Sequence, residues 1–234
     1  MVGHGLATSS MHRWNQGPSG SGWSSRCFLI RRESGQMVDL TLRRSALSGW
    51  EQKLSVASVE GAVYLREIPF LGMVNLRVDL SARGVAREIE DAIGFALPKQ
   101  PNTVTARLTT RALWLGPDEW LIVAPDGEQQ AIIGKLALQL ADRHAAITDV
   151  SANRTTLELR GPKSQEVLQK GCLLDLHPSK FLTGHCAGTN LARNQVILEK
   201  TDDSATWRIY PRWSFANYVA DWLIDAMMEY RSPL

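Results

Sequence analysis

Two stretches of this chain pass through the same order of periods, and that repetition restricts the fold more than any other feature. Residues 74–98, VNLRVDLSARGVAREIEDAIGFALP, place Val74, Leu76, Val78 and Leu80 on alternate positions, as a half-buried strand requires. The spacing then changes to Val85, Ile89, Ile93 and Leu97, with Arg87, Glu88, Glu90 and Asp91 opposite, which predicts an amphipathic helix. Residues 155–178, TTLELRGPKSQEVLQKGCLLDLHP, repeat the change from strand to helix. Further on, LGPDEWLIVAP at 115–125 parallels TDDSATWRIYP at 201–211, with Trp120 and Trp207 in the same place. The offsets agree at about 80 to 90 residues, so the reading is an internal duplication.

The rest of the pattern fills in the two units. Strands are predicted at about 104–109, 111–115 and 119–124, the last two joined by Gly116-Pro117-Asp118, followed by a helix over about 127–141 with Ile132, Ile133, Leu136 and Leu140 inward. In the second half a strand at 155–160 leads to a helix at 162–170, an irregular stretch, strands at about 194–199 and 205–210, and a final helix at about 215–230. The predicted fold is α+β: two duplicated β-α-β-β-α units, residues about 60–142 and 143–232, fused into one domain over 37–234 whose mixed sheets carry helices on one side. With 44% apolar residues the chain can bury a proper core. No run reaches the eighteen or so apolar residues of a membrane span, since Asn217, Asp221 and Asp225 interrupt the longest candidate.

Charge is concentrated at one end. Residues 1–36 hold Arg13, Arg26, Arg31 and Arg32 against Glu33, which leaves 22 basic and 23 acidic residues of the total 26 and 24 for the remainder. Nothing beyond residue 36 forms the Lys/Arg face that a phosphate backbone requires, so nucleic acid is not an expected partner. The leader is Gly/Ser-rich and without sustained periodicity, and it reads as a disordered extension or a mis-assigned start, with Met37 as the second candidate initiator. It has no secretory apolar core, and although Arg- and Ser-rich, acid-poor leaders can be transit peptides, the amphipathic pattern is weak here. Three cysteines, Cys27, Cys172 and Cys186, cannot supply a disulfide framework, and a reducing, cytoplasmic setting is expected.

The search for chemistry returns little. Cys172, His177, His185 and Cys186 lie close in sequence but lack a Cys-x-x-Cys pair, and they read as unliganded packing and loop residues. No catalytic triad motif, Gly-x-Ser-x-Gly elbow or dinucleotide fingerprint is present. At Gly161-Pro162 a fixed φ suits a helix start, whereas Lys163-Ser164 has no Gly-rich loop before it to cradle a phosphate. The tryptophans at 114, 120, 207, 213 and 222 read as core packing on strands and helix faces; Trp50, Arg212 and Trp213 are the candidate partner contacts, being the residue types that dominate interface hot spots. No residue is assigned a catalytic, cofactor-binding or metal-binding role.

These residues also carry a resemblance. ITDVSANRTTLELRGPKSQEVLQKGCLLDL at 147–176 resembles the folate-binding aminomethyltransferase family of the glycine cleavage system, through an Asp-x-Ser before a strand that ends in Gly-Pro and a helix. The run from 37 to 234, with LRRSALSGWE, LGPDEWLIV and RWSFANYVADWLIDA, is more closely similar to the gamma-subunit family of heterotetrameric sarcosine oxidases. That resemblance implies an aminomethyltransferase-like module in an enzyme that oxidatively demethylates sarcosine to glycine and hydrogen peroxide and passes the one-carbon unit to tetrahydrofolate. It implies alpha, beta and delta partner subunits, with alpha the main contact. FAD, FMN, NAD and zinc are expected in those partners and none in this chain. A stand-alone folate-binding protein or aminomethyltransferase is the other reading. Against it, TNLARNQVILEK brings Arg193 and Asn194 where folate-processing relatives place acidic residues, and Asp149 and Ser151 suit the local capping of a turn.

Overall fold

A computed structural model describes residues 42–231, so the leader and Met37 lie outside the described residues. Within them the chain folds into two five-stranded sheets. The first half supplies α1 (Glu51–Ala57), β1 (Tyr64–Ile68), β2 (Gly72–Val78), α2 (Val85–Ile93), β3 (Val104–Arg107), β4 (Thr110–Gly116), β5 (Glu119–Ala124) and α3 (Gln129–Gln139). The second supplies β6 (Ala145–Asp149), β7 (Thr156–Arg160), α4 (Ser164–Gln169), β8 (Cys186–Leu191), β9 (Asn194–Lys200), β10 (Trp207–Pro211) and α5 (Ala216–Met227).

The strand orders are β3-β4-β5-β2-β6 in one sheet and β1-β7-β10-β9-β8 in the other. Read from opposite ends they correspond, β2 with β7, β3 with β8, β4 with β9 and β5 with β10. The fifth strand of each sheet is exchanged: β1 precedes β2 in the chain but pairs with β7, and β6 precedes β7 but pairs with β2. Each unit is therefore β-β-α-β-β-β-α, two strands more than the expected β-α-β-β-α.

Two further expectations are corrected. The sheets are not mixed, because every ladder is antiparallel. The reason lies in the crossovers: the segments containing α2 and α4 carry the chain from a strand near one edge to the far edge, and no helix joins two adjacent strands as a parallel pair would need. The irregular stretch of the second half also contains a strand, β8, whose sequence CAGTNL has too little β-branched or aromatic character to announce itself.

Helices cover the outer face of each sheet. Leu76, Ile89, Trp120, Ile122, Leu136 and their neighbours form the core beneath α2 and α3, and Leu65, Leu159, Leu168, Trp207, Leu223 and theirs form the one beneath α1, α4 and α5. The two matched tryptophans are both buried, Trp120 at 1% and Trp207 at 0% exposure. Their polar ends differ, since Trp120 Nε1 donates to the Pro98 carbonyl at 2.9 Å while Trp207 Nε1 is enclosed without an acceptor. The inner faces meet at a seam built from Met73, Leu113, Leu121 and Val123 on one side and Cys186, Ile197 and Tyr210 on the other.

Candidate functional site

The Gly161-Pro162 break is a packing joint. Gly161 has φ +114, and a Cβ there would lie 2.5 Å from the carbonyl oxygen of Ala62, on the approach to β1. That same carbonyl accepts from Lys163 N at 3.0 Å. A phosphate would meet this carbonyl oxygen at close range, so the turn does not fit the pyrophosphate of a dinucleotide. A cavity of about 540 Å³ opens beside the joint, but its cation, Arg160, is stacked on the Tyr64 ring at 4.4 Å.

The four residues weighed as metal ligands are each engaged separately. Cys186 is enclosed, with Sγ 3.5 Å from the carbonyls of Thr103 and Trp114, and burial pushes its thiol up to about 12 with Glu199 adding to the effect. His177 Nδ1 lies 2.8 Å from Ser179 Oγ, His185 meets Phe181 edge-on, and Cys172 Sγ lies near Thr189. Among the described residues no group of three or more His, Cys, Asp or Glu side chains is arranged to hold a metal.

The site with the most convergent chemistry sits where β6 ends and the chain turns into β7. Asp149 Oδ1 accepts from Ser151 N at 3.0 Å and from Ser151 Oγ at 2.6 Å, while Oδ2 accepts from Gln130 Nε2 at 2.9 Å. Ser151 Oγ in turn accepts from Met73 N at 2.9 Å, tying the turn to β2. The Asp-x-Ser motif therefore does the local capping its residue types suggest through Oδ1, while Oδ2 ties the turn to α3 through Gln130. Arg193 stands exposed on the β8–β9 turn and Asn194 is buried at the start of β9.

A cavity of about 410 Å³ lies against this turn, walled by Phe70, Asp149, Ser151, Arg154 and Trp213. Arg154 Nη1 donates to the Tyr210 carbonyl at 2.9 Å, and burial, with repulsion from Arg212, lowers its pKa. Arg154 and Arg212 face each other in an isolated antiparallel bridge. No histidine lines this cavity, and its Arg43 and Asp126 are spent on each other at 3.0 Å. The arrangement offers recognition of an anion rather than acid–base chemistry.

Of the candidate contacts, the structure brings Arg212 and Trp213 together and sets Trp50 apart. Trp213 is 49% exposed in the short 3₁₀ turn that begins α5, with Phe215 at 45% and Tyr218 at 42% beside it in sequence, so Trp213 is not core packing. The reason is register: the turn Trp213–Phe215 buries none of its residues, and inward packing begins at Ala216. Trp50 is half-buried at the head of α1, where Lys53 Nζ sits 3.8 Å over its ring and pairs with Asp221 of α5. Arg154 escaped the sequence reading, because a single Arg before a strand carries no signal until Arg212 is placed opposite it.

Comparison with known proteins adds a consistent picture. Residues 77–229 match the model of the family described as "Sarcosine oxidase, gamma subunit family". Sarcosine oxidase subunit gamma of Arthrobacter sp is 39% identical over 202 residues, covering 86% of this chain and 98% of the relative. The subunit gamma of Corynebacterium sp. (strain P-1) is also 39% identical, over 201 residues. Among solved structures, a chain of the heterotetrameric sarcosine oxidase from Corynebacterium sp. U-96, in complex with pyrrole 2-carboxylate, superposes with a TM-score of 0.76 at 36% identity, covering 82% of this chain and 98% of that one. The glycine cleavage system aminomethyltransferase T from Bartonella henselae gives a TM-score of 0.56 at 14% identity over 74% of this chain and 48% of that one, a likeness of fold alone.

Proposed function

The chain belongs to the sarcosine oxidase gamma subunit family, and from that premise we propose that it is the non-catalytic gamma subunit of a heterotetrameric sarcosine oxidase. In this reading it supports the oxidative demethylation of sarcosine to glycine, with hydrogen peroxide formed and the one-carbon unit passed to tetrahydrofolate. The reaction runs on partner subunits in the cytoplasm, where FAD, FMN, NAD and zinc are held, and the alpha subunit is the main contact. The observation that carries this reading is the near-complete span of the likeness, 98% of the length of a gamma subunit. The chemistry agrees with it, since the Asp149 carboxylate of the Asp-x-Ser motif is engaged by Ser151 of its own turn and by Gln130 of α3. Among the described residues no helix is long and apolar enough to cross a membrane.

The exposed aromatics at the start of α5 supply a contact surface of the kind partners cover, with Trp213 and Arg212 at its centre. A stand-alone folate-binding protein or aminomethyltransferase is less well supported, because Arg193 and Asn194 supply no carboxylate where that activity would need one. Affinity purification of the tagged, natively expressed chain tests the proposal. Co-purification of larger flavin-containing chains that oxidise sarcosine is the expected result. A colourless single chain that binds tetrahydrofolate would overturn it.

A further inference from the structure

The inner face of the second sheet is packed over only part of its extent. Its closed part is the seam, where Cys186, Ile197 and Tyr210 are buried against the first sheet and Arg111 reaches across to Glu199. Farther along the strands the same face carries Tyr64 and Arg66 of β1, Glu158 and Arg160 of β7, and Arg208 of β10. Alternation puts them there, because Leu65, Leu159, Trp207 and Ile209 beside them belong to the outer core. Two contacts agree with that placement: Arg66 Nη2 lies 2.7 Å from Glu158 Oε1, and the Arg160 guanidinium lies 4.4 Å over the Tyr64 ring. This part is open to solvent, with Arg160 exposed, half of the Arg66 side chain exposed, and a cavity of about 540 Å³ against Tyr64, Arg160 and Thr206. Among the described residues Arg160 and Arg208 form no ion pair and no side-chain hydrogen bond, although the ladders set Arg208 between Glu158 and Glu199. Each of those carboxylates is held by another arginine, Arg66 or Arg111. Arg208 is nevertheless half-buried, with Nε enclosed and lacking an acceptor.

Resting on the subunit reading and deepening it, we infer that the open part of this face docks an acidic surface of a larger partner subunit, whose carboxylates meet Arg160 and Arg208. Charge selects the occupant. Three guanidiniums share the open part with the carboxylate of Glu158, and Glu60 is the one acid among the residues that line the cavity. A guanidinium matches a carboxylate in two parallel hydrogen bonds, and stacking on Tyr64 leaves the in-plane N–H donors of Arg160 available for them. At Arg208 an incoming carboxylate supplies the counter-charge that a half-buried cation lacks in the isolated chain. The donors stand on paired strands, so little order has to be gained on docking. A polynucleotide fits this face less well, because Glu158 and Glu60 stand among the arginines and would confront its phosphates.

The test uses Arg160→Glu, which reverses the charge of an exposed side chain, and Arg208→Gln, which removes a cation that has no side-chain hydrogen bond to lose. Arg83→Glu makes the same charge change as Arg160→Glu at an exposed position ahead of α2, on the other sheet, and serves as the control. Each full chain is titrated against the purified flavin-containing subunits at low and at high salt, and its thermal midpoint is measured alone. Arg160→Glu is expected to weaken assembly at least about tenfold at low salt and by less at high salt. Arg208→Gln should weaken assembly by a smaller factor while melting no lower than wild type, and Arg83→Glu should assemble as wild type does. Unchanged assembly of Arg160→Glu and Arg208→Gln overturns the inference. An equal loss in Arg83→Glu also overturns it, since the effect would then be one of net charge. So does a rise of the wild-type midpoint with inorganic phosphate that Arg160→Glu abolishes while still assembling, which would make the face a site for free anions. Should Arg160→Glu fail to fold, Arg208→Gln decides by the same outcomes. Failure of wild type to assemble removes the subunit reading and the inference together, whereas assembly of wild type and of both variants removes the inference alone.

Discussion

The two sides of the seam between the sheets occupy corresponding places in the fold but are built from different chemistry. The first sheet contributes Met73, Leu113, Leu121 and Val123, an apolar surface broken by Arg111. The second contributes Cys186, Ile197 and Tyr210, and beside them a row of alternating charge that crosses four strands, Arg66 to Glu158 to Arg208 to Glu199. Arg111 completes this row from the opposite sheet, with Nη1 2.5 Å from Glu199 Oε1, and Tyr210 OH donates to the other oxygen at 2.6 Å. The outer cores show no such contrast, both being apolar beneath their helices. Corresponding strands therefore need not carry corresponding chemistry: the outer faces need only exclude water, whereas the seam has to select how one sheet lies on the other. Burial at each Leu or Ile stabilises by roughly 1.5–3 kcal/mol without direction. The Glu199 network adds direction at a cost in desolvation.

The largest expected effect tests that division. Arg111→Met leaves Glu199, whose side chain is 2% exposed, with a buried charge facing an apolar side chain, and should cost about 3–5 kcal/mol of unfolding free energy in urea titration. Adding Glu199→Met to it should recover most of the loss, since replacing a buried ion pair by packed apolar groups is often neutral. A double variant as unstable as the single one would show that the network holds the seam through more than charge balance.

Next in size is Gly161→Ala. Its Cβ would press on the Ala62 carbonyl at 2.5 Å, and its backbone is already at φ +114, so about 2–3 kcal/mol is expected. Gly127→Ala has comparable φ, +84, with nothing within 4 Å, and should lose about 1 kcal/mol from strain alone. The difference isolates the clash. Because that clash falls where the first half's β1 joins the second half's sheet, hydrogen exchange should show loss of protection concentrated at Tyr64–Ile68.

The sequence made some of this readable and hid the rest for physical reasons. The hydrophobic alternation of β2, the helical spacing of Val85 and Ile89, and the matched Trp120 and Trp207 are local signals, and each lies where its period places it. The exchange of β1 and β6 is not local. YLREI and AAITD are short segments, and nothing in a short strand says which sheet it will complete. Leu97 shows the same limit: it continues the helical spacing and is buried at 6%, but α2 has ended at Ile93 and the chain reaches the core without a helix. At the candidate site, Asp149 and Ser151 could be read because their bonds span two residues. Arg154 could not, because its significance depends on Arg212, brought opposite it only by the fold.

A pH-dependent effect, absent at neutral pH, tests the second sheet's side of the seam by titration. Cys186 is raised from an ordinary 9.0 to about 12, so between those values the folded chain keeps a proton that the unfolded chain has lost. The associated stability is complete below pH 9.0 and falls as pH rises toward about 12, by up to about 1.4 kcal/mol per unit. Cys186→Ala should be less stable at neutral pH through the lost packing, yet show a shallower alkaline decline. Equal slopes would indicate that the thiol is not the titrating group on the second sheet's side.

The smallest expected effect decides what the Asp-x-Ser turn is for. Ser151→Ala deprives Met73 N of its acceptor and Asp149 of one of its three donors, at a cost of about 1–2 kcal/mol. Met73 belongs to the apolar side of the seam, so the loss should spread to β2 rather than remain in the turn. If the motif is a structural clasp, sarcosine turnover by the assembled enzyme should follow the amount of folded complex, with kcat per complex unchanged. A fall in kcat at full occupancy would assign the turn a part in the reaction, since the carboxylate it holds would then matter for more than its own three hydrogen bonds.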